Sequence, residues 1–454
     1  MKNATPVVNT KKINHHSFVL AIMAGWVWSM GIWGASAAKA QATINTLASF
    51  NVSDGSGPQG GLILSGNTLY GTTGFGGAHG DGTVFSVPVT GGTPTVLASF
   101  NGSNGKSPDG DLILSGNTLY GTTSEGGAYG GQFIGGIGGG TVFSVPVTGG
   151  TPTVLASFNG TDGSYPAAGL ILSGNTLYGT TYFGGNDYSA PYSGTGTVFS
   201  VPVTGGTPNV LMSFGTPVSN GGTQPQAGLT LIGNTLYGTT TAGGAYGGRL
   251  VSGGTVFSVP ITGGTQTVLA SLTGSAGVIS INSGVILVGS TLYGTTTPGG
   301  DDGYGAVFSV PVTGGTPTVL GSFDYFTNGD EPAADLTLSA DGNTLYGTTV
   351  QGGDDEYGTV FSLPLTGGDP TVLASFDGSN GKYSYADLTL SGNMLYGTTE
   401  YGGANNNGSV FELTVPEPAS IGIVGVSMMG LLVRRRSARK STGSTGPASA
   451  HLSH

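Results

Sequence analysis

Side chains that could act as acids, bases or metal ligands are unevenly distributed along this 454-residue chain. Only one of the five histidines, His79, lies between residues 41 and 414, and the chain has no cysteine. A Ser-His-Asp set or a zinc site built on several histidines therefore cannot be assembled there. Gly105-Lys106-Ser107 is no phosphate-binding loop, because Phe100 stands where that loop requires its first glycine. Asp and Glu carboxylates remain the main source of chemistry.

One group of carboxylates lies in glycine-rich segments of the second half of the chain. Its members are Asp301, Asp302, Asp324, Asp330, Glu331, Asp354, Asp355 and Glu356. Carboxylate oxygens in loops could bind Ca²⁺, although the spacing of an EF-hand is missing, and solvated loops are the alternative. No other cofactor is expected. Two carboxylates could also cleave a glycoside at a separation of about 5–10 Å, but no pair is singled out.

A second group of candidate residues is aromatic and lies in longer loops. Its members are Tyr129, Phe133, Tyr182, Phe183, Tyr188, Tyr192 and Tyr246. Flat rings on loops rich in Gly, Ser and Asn are suited to stacking on sugar rings or protein surfaces. We predict that these rings form a binding face, and the alternative is that they pack down their own loops.

The elements that must position both groups are set by an internal repeat. The pentapeptide Leu-Tyr-Gly-Thr-Thr begins at Leu69, Leu119, Leu177, Leu236, Leu292, Leu345 and Leu395. Its tyrosines are 50 to 59 residues apart, which indicates one supersecondary unit copied in series. Each copy holds four short apolar segments separated by glycine-containing turns, such as Ser65-Gly66-Asn67. This pattern predicts four antiparallel strands, a to d, in each unit.

Seven four-stranded units of this length predict an all-β fold, a seven-bladed β-propeller, rather than a sandwich or a solenoid. The first strand, Thr43–Phe50, stands alone as a strand d, and the last unit stops at its strand c, Ser409–Thr414. We therefore predict that the first strand closes the last blade, which covers both open sheet edges.

Ligand recognition is expected on one face of the predicted ring. The b–c and d–a loops emerge together there, and they are the segments that differ between copies. The b–c loops hold 14 to 17 residues in blades 2 to 4 and nine in each other blade. Residues 41–414 also carry 22 acidic but only three basic residues, so nucleic acid is excluded as a partner.

Residues 1–40 read as a secretory signal peptide. Lys11 and Lys12 precede the apolar segment Phe18–Trp33, and Ala38-Lys39-Ala40 fits the cleavage site of signal peptidase. An uncleaved membrane anchor is the alternative. Either arrangement exports the repeats.

Residues 415–440 form a second targeting segment, followed by a tail, 441–454, that we expect to be disordered. Pro416-Glu417-Pro418 precedes the apolar run Ala419–Val433 and the arginines 434–436. This order resembles the PEP-CTERM sorting signal of Gram-negative bacteria. The resemblance implies an exosortase as processing partner, transient anchoring in the inner membrane, and a final place at the cell surface or in the extracellular matrix. A retained single-pass anchor is the alternative.

The repeat itself resembles the GloVer tandem repeat of exported bacterial proteins over residues 43–414. The resemblance rests on Leu-Tyr-Gly-Thr-Thr, a following Gly-Gly, and Gly-Thr-Val-Phe, as at Gly82–Phe85. It implies a surface propeller and brings no activity with it. We expect a binding or structural module for extracellular polysaccharide or envelope proteins. The alternatives are a carbohydrate-active enzyme (glycoside hydrolase or lyase) using paired carboxylates, and a matrix component without a specific ligand.

Overall fold

The strands occupy short, regularly spaced segments of the chain. The computed structural model describes residues 41–129, 139–186, 193–215, 221–244, 253–272 and 281–415, and these contain strands but no helix. The strands are β1 (Ile44–Ser49), β2 (Ile63–Ser65), β3 (Thr68–Thr73), β4 (Thr83–Pro88), β5 (Thr95–Ser99), β6 (Ile113–Ser115), β7 (Thr118–Thr123), β8 (Thr141–Pro146), β9 (Thr153–Ser157), β10 (Ile171–Ser173), β11 (Thr176–Thr181), β12 (Thr197–Pro202), β13 (Asn209–Ser213), β14 (Gly222–Thr223), β15 (Thr230–Ile232), β16 (Thr235–Thr240), β17 (Ala242–Gly243), β18 (Thr255–Pro260), β19 (Thr267–Ser271), β20 (Ile286–Val288), β21 (Thr291–Thr296), β22 (Ala306–Pro311), β23 (Thr318–Ser322), β24 (Thr337–Leu338), β25 (Thr344–Thr348), β26 (Thr359–Pro364), β27 (Thr371–Ser375), β28 (Thr389–Ser391), β29 (Met394–Thr399) and β30 (Ser409–Thr414).

These strands form seven antiparallel four-stranded sheets, which confirms the predicted seven-bladed propeller. Blades 1 to 6 have the orders β2-β3-β4-β5, β6-β7-β8-β9, β10-β11-β12-β13, β15-β16-β18-β19, β20-β21-β22-β23 and β24-β25-β26-β27. Blade 7 has the order β28-β29-β30-β1, with Ile44 opposite Leu413. The first strand therefore closes the last blade, as predicted. A short ribbon in blade 4, β14-β17, was not expected from the sequence.

The glycine of the pentapeptide makes room for an aromatic ring of its own blade. Gly71 in β3 lies opposite Phe85 in β4. A Cβ atom at position 71 would lie 2.7 Å from the Phe85 ring and 2.9 Å from Leu62. Side-chain packing therefore requires glycine at this point inside a strand.

The hydrophobic core lies between the blades. At the end of blade 1, Phe100 packs edge-on against Phe143 of blade 2, with ring centroids 4.9 Å apart. Five other interfaces repeat this contact through the pairs Phe50–Phe85, Phe158–Phe199, Phe214–Phe257, Phe323–Phe361 and Phe376–Phe411. Such pairs contribute about 0.5–1.5 kcal/mol beyond their buried area. The buried Leu272 takes the equivalent place between blades 4 and 5.

A β-bulge in each c–d pair supplies a further contact between blades. The register of β4 and β5 shifts after Val84, so Leu97 has no partner across the sheet. Its carbonyl accepts a hydrogen bond from the Gly150 N–H of the next blade, at 2.9 Å. At the seam, the Ala42 N–H donates to the Leu373 carbonyl of blade 6 at 2.8 Å. The segment before β1 thus replaces a c–d turn that blade 7 lacks.

The first threonine of each pentapeptide joins its blade to the next one around the ring. Thr72 donates its hydroxyl to the Gly110 carbonyl of blade 2, at 3.3 Å. The equivalent bonds are Thr122 to Ala168, Thr180 to Ala227, Thr239 to Ser283, Thr295 to Ala334 and Thr348 to Ala386. Thr398 donates to Gly60 at 3.1 Å and closes the circle.

The second threonine ties strands b and c to the loops. The hydroxyls of Thr73 and Thr83 lie 2.8 Å apart, and Thr73 also donates to the Phe75 carbonyl. Blade 5 has Ala306 at the partner position, and the buried hydroxyl of Thr296 lacks a hydrogen-bond partner among the described residues. A buried polar group without a partner costs about 1–3 kcal/mol.

We predict that Ala306→Thr raises the stability of the protein by about 1 kcal/mol, because it supplies the missing partner of Thr296. Thermal or urea unfolding of the purified protein measures the effect. The matched control is Thr83→Ala in blade 1, which removes the hydroxyl that lies 2.8 Å from Thr73 and donates to the Asp54 carbonyl, and it should lower stability by a similar amount. A decrease in melting temperature for Ala306→Thr would contradict the interpretation.

Candidate binding site on the loop face

The b–c and d–a loops are hydrogen-bonded to each other, which confirms that they share one face, the loop face. In blade 2, the Lys106 N–H donates to the Glu125 carbonyl at 2.8 Å, and the Glu125 N–H donates to the Lys106 carbonyl at 3.1 Å. The same pairing joins Ser56 to Phe75, Ser164 to Phe183, Asp330 to Gln351 and Lys382 to Tyr401. A rigid scaffold therefore positions the variable loops.

One residue of each described d–a loop has a left-handed backbone conformation. These residues are Gly57, Ser107, Tyr165, Gln224, Glu331 and Tyr383, with φ between 53° and 65°. Non-glycine residues rarely adopt this conformation, and it costs of order 1–3 kcal/mol. Hydrogen bonds hold it in place: the Ser107 N–H donates to Asp81 at 3.0 Å, and its carbonyl accepts from Ser124 at 2.9 Å. The five non-glycine residues among them thus present their side chains from an equivalent backbone position.

The predicted aromatic face is described only in part. The rings of Tyr182 and Phe183 pack edge-on, with centroids 4.6 Å apart, and Tyr165 lies 6.3 and 6.2 Å from them. All three remain partly exposed, as does Tyr129. Phe133, Tyr188, Tyr192 and Tyr246 lie outside the described residues. These rings pack against one another and still offer a surface, so the binding role stays a prediction.

The predicted acidic group is divided among several places. Asp301, Asp302 and Asp324 line one open groove of about 430 Å³. Asp324 already accepts hydrogen bonds from the N–H groups of Phe326 and Thr327. The other members are distributed as follows: Asp330 and Glu356 lie near Tyr325, Glu331 accepts from Gln351, Asp354 accepts from Gln41, and Asp355 is exposed.

Metal binding by this acidic group stays a prediction. Within the part of the chain that the structure describes, no three acidic or histidine side chains are grouped closely enough to hold a metal ion.

A set of residues that the sequence did not single out meets on the loop face of blades 6, 7 and 2. We call Asp109, Glu125, Glu331, Tyr385, Glu400 and Tyr401 the loop-face cluster. Burial raises the pKa of Asp109 to about 7, the hydroxyl of Ser124 opposes this by donating to Asp109 at 3.0 Å, and the charges of Glu125 and Glu400 add to the rise. Asp109 therefore binds its proton more tightly than an exposed aspartate does.

Two exposed tyrosines flank Glu400 in this cluster. Tyr385 and Tyr401 are 40% and 39% exposed. Burial, followed by the charges of Glu400 and Glu331, raises the pKa of Tyr385 to about 12. The charge of Glu400 is the largest cause of the raised pKa of Tyr401, whose hydroxyl it also binds. The cluster thus combines accessible rings with carboxylates, and its tyrosines come from blade 7, whose b–c loop is short.

A ring of seven equivalent positions lies at the centre of the propeller. Each of these positions immediately follows a carbonyl that accepts an inter-blade threonine bond, including Gly61, which follows Gly60 at the seam. They are Gly61, Asp111, Gly169, Gly228, Gly284, Asp335 and Asp387, and we call them the axial ring. Cβ atoms at Gly61 and Gly169 would lie 3.1 Å and 3.0 Å from the Cβ atoms of Asp387 and Asp111. The glycines leave the central space to three carboxyl groups.

The three axial carboxyl groups lie close together, and two of them, Asp335 and Asp387, have raised pKa values. Asp387 accepts from the Asp335 N–H at 2.6 Å and hydrogen-bonds the side chain of Asp111. Asp111 accepts from Gly61 at 2.5 Å, and Asp335 accepts from Gly284. Burial and then the neighbouring carboxylates raise the pKa of Asp335 to about 7 and the pKa of Asp387 well above its ordinary value. Asp335 and Asp387 therefore bind protons more tightly than exposed aspartates, and the hydrogen bond between the Asp111 and Asp387 carboxyl groups requires a proton on one of the two.

We predict that raising the pH from about 5 to 8 destabilises the protein. A carboxyl group whose pKa is higher in the folded state binds its proton more tightly there, so stability falls as pH rises towards the folded pKa. Each pKa unit corresponds to about 1.4 kcal/mol. Asp387→Asn keeps the shape and removes the charge, so it should raise stability at pH 8 by more than about 1 kcal/mol and change it little at pH 4.

Urea unfolding at pH 4, 6 and 8 measures this dependence. Asp301→Asn is the matched control, because it removes an exposed carboxylate and should leave the slope unchanged. If Asp387→Asn is equally destabilising at every pH, the axial carboxyl groups do not share a proton.

Comparison with known families gives two matches. The chain matches the Gloeobacter/Verrucomicrobia repeat over residues 33–251 and 247–421, and the PEP-CTERM protein-sorting motif over residues 414–436. Both predicted resemblances are confirmed. The PEP-CTERM motif is an exosortase-processed sorting signal and implies export to the cell envelope or surface. No helix within the described ranges is long and apolar enough to cross a membrane.

Comparison with solved structures supports the fold alone. A Mycobacterium tuberculosis puromycin-hydrolyzing peptidase is 14% identical with a TM-score of 0.50, and the match covers 82% of this chain and 54% of that one. A puromycin hydrolase is 13% identical with a TM-score of 0.50, covering 79% and 53%. The chain thus spans about half the length of these proteins. No curated protein matches the chain.

Proposed function

This chain belongs to the Gloeobacter/Verrucomicrobia repeat family, and from that premise we propose that it is an exported surface propeller that binds polysaccharide through its loop face. The loop-face cluster carries the proposal. Tyr385 and Tyr401 expose ring faces on which sugars can stack, and Glu400 between them can accept hydrogen bonds from sugar hydroxyls.

The sorting motif supports a place where such a ligand is abundant. We propose that an exosortase processes the sorting signal and that the propeller is then held at the cell surface or in the extracellular matrix of a Gram-negative bacterium. The aromatic rings of blades 2 to 4 would extend the same face.

We predict that the double variant Tyr385→Ala/Tyr401→Ala weakens polysaccharide binding by about tenfold or more. The reason is that the stacking of a sugar on an aromatic ring contributes of order 1 kcal/mol for each ring. Glycan-array binding, followed by calorimetry on the best ligand, measures the change. Phe326→Ala is the control: its ring is 77% exposed and packs against Tyr325, outside the cluster. Equal binding by the wild type and the double variant would exclude the cluster as the glycan site.

The protonated Asp109 favours a second candidate function, the hydrolysis of a glycosidic bond. Asp109 would donate its proton to the glycosidic oxygen as that bond breaks. Glu400, as a carboxylate, would take a proton from the water that attacks the anomeric carbon. The charge of Glu400 raises the pKa of Asp109, which supports the assignment of these two residues as the acid and the base of one site.

We predict for this candidate that Asp109→Asn lowers hydrolysis by about 10²–10⁴-fold while glycan binding persists. Release of reducing ends should decline above about pH 7 in the wild type, because Asp109 loses its proton there. Polysaccharide that is bound by the wild type without any release of reducing ends rules out the hydrolase.

A further inference from the structure

We propose that the loop-face cluster selects polysaccharides that carry protonated amino groups, that is, polymers containing unacetylated amino sugars. The inference rests on the proposed glycan binding and adds the chemical class of the ligand. Three observations support it: the negative charge of the cluster, the aromatic rings beside that charge, and the neighbouring amide groups.

The charge of the site disfavours acidic and favours basic sugars. The charge of Glu400 raises the pKa values of both Asp109 and Tyr385, and the charge of Glu331 also raises the pKa of Tyr385. These carboxylates therefore lie near one another. The nearby Lys106 is already paired with Glu125 at 2.8 Å. A uronic acid would be repelled here, whereas an ammonium group would form charge-assisted hydrogen bonds with Glu400 or Glu331.

The tyrosine rings of the same region already bind an ammonium group of the chain itself. The Nζ atom of Lys382 lies 5.5 Å from the ring centroid of Tyr357 and 5.8 Å from that of Tyr383. Both distances are within the range of a cation–π contact. Tyr383 is also 6.2 Å from Tyr401, so the rings form a row that ends beside Glu400. At that end the row meets carboxylates, which is a stronger site for an ammonium group than rings alone.

Neighbouring glutamines favour a sugar over a lysine side chain as the carrier of the amine. Gln59 donates to Glu400 at 3.1 Å, and Gln351 donates to Glu331 at 3.3 Å. Each amide has a carbonyl oxygen and a second N–H group that suit sugar hydroxyls. An amino sugar would use the carboxylate, the ring face and the amide together, whereas a lysine side chain has no hydroxyls to bind the amides.

The test compares hexasaccharides of equal length by calorimetry with the full-length protein. A fully deacetylated glucosamine hexamer should bind at least tenfold more tightly than its N-acetylated counterpart, and a galacturonate hexamer should not bind. Glu400→Gln should remove most of this preference, and Glu400→Asp should restore part of it. Asp301→Asn removes the same charge outside the cluster and should leave the preference intact. Unfolding curves of each variant verify that it is folded.

The outcomes separate this inference from the function on which it rests. Equal binding of both glucosamine hexamers, unchanged by Glu400→Gln, overturns the amine preference and leaves glycan binding in place. Failure of every oligosaccharide to bind overturns both. Binding of a lysine-rich peptide at least as tight as that of the glucosamine hexamer, and equally weakened by Glu400→Gln, identifies a basic protein as the partner and overturns the sugar assignment.

Discussion

The hydrogen bond from the first pentapeptide threonine to the next blade is the constraint on which the rest of this propeller depends. A single four-stranded blade cannot bury either of its faces, so every copy needs a neighbour on each side. Thr72 and its equivalents fix how closely neighbours approach, and the bond from Thr398 to Gly60 requires the seventh blade to meet the first. The same closure explains why β1 completes blade 7 instead of starting a blade of its own.

The position of this bond also determines what lies on the axis. Because the accepting carbonyl precedes the axial residue, the chain brings one residue of each blade to the centre. Four blades use glycine there and three use aspartate, so the carboxyl groups of Asp111, Asp335 and Asp387 occupy space that the glycines leave. Burial and mutual repulsion raise the pKa values of Asp335 and Asp387, which makes the centre of the fold sensitive to pH.

Much of the fold could be predicted because its signals are local. Turn glycines, alternating apolar residues and the unpaired strand Thr43–Phe50 all lie within short segments, and they identified the blades and the seam. The axial aspartates were not predicted, although Asp111 and Asp387 lie eight residues before their pentapeptides, as the axial glycines do; Asp335 lies ten residues before Leu345 and is shifted in such an alignment. The loop-face cluster could not be found in this way, because Asp109 and Glu400 are almost 300 residues apart and meet only after the ring closes. Loop length instead predicted a binding face on blades 2 to 4.

Scaffold and recognition are separated residue by residue in this protein. The threonines of the pentapeptide are needed in every blade, whereas the left-handed position of the d–a loop keeps its backbone conformation and varies its side chain. Ser107, Tyr165, Glu331 and Tyr383 therefore occupy equivalent places with different chemistry. Glu331 of blade 6 and Tyr383 of blade 7 both lie close enough to Tyr385 to raise its pKa, so charge and aromatic surface meet there without any longer loop. The order of blades around the ring, as well as the length of the loops, therefore determines which side chains meet on the loop face.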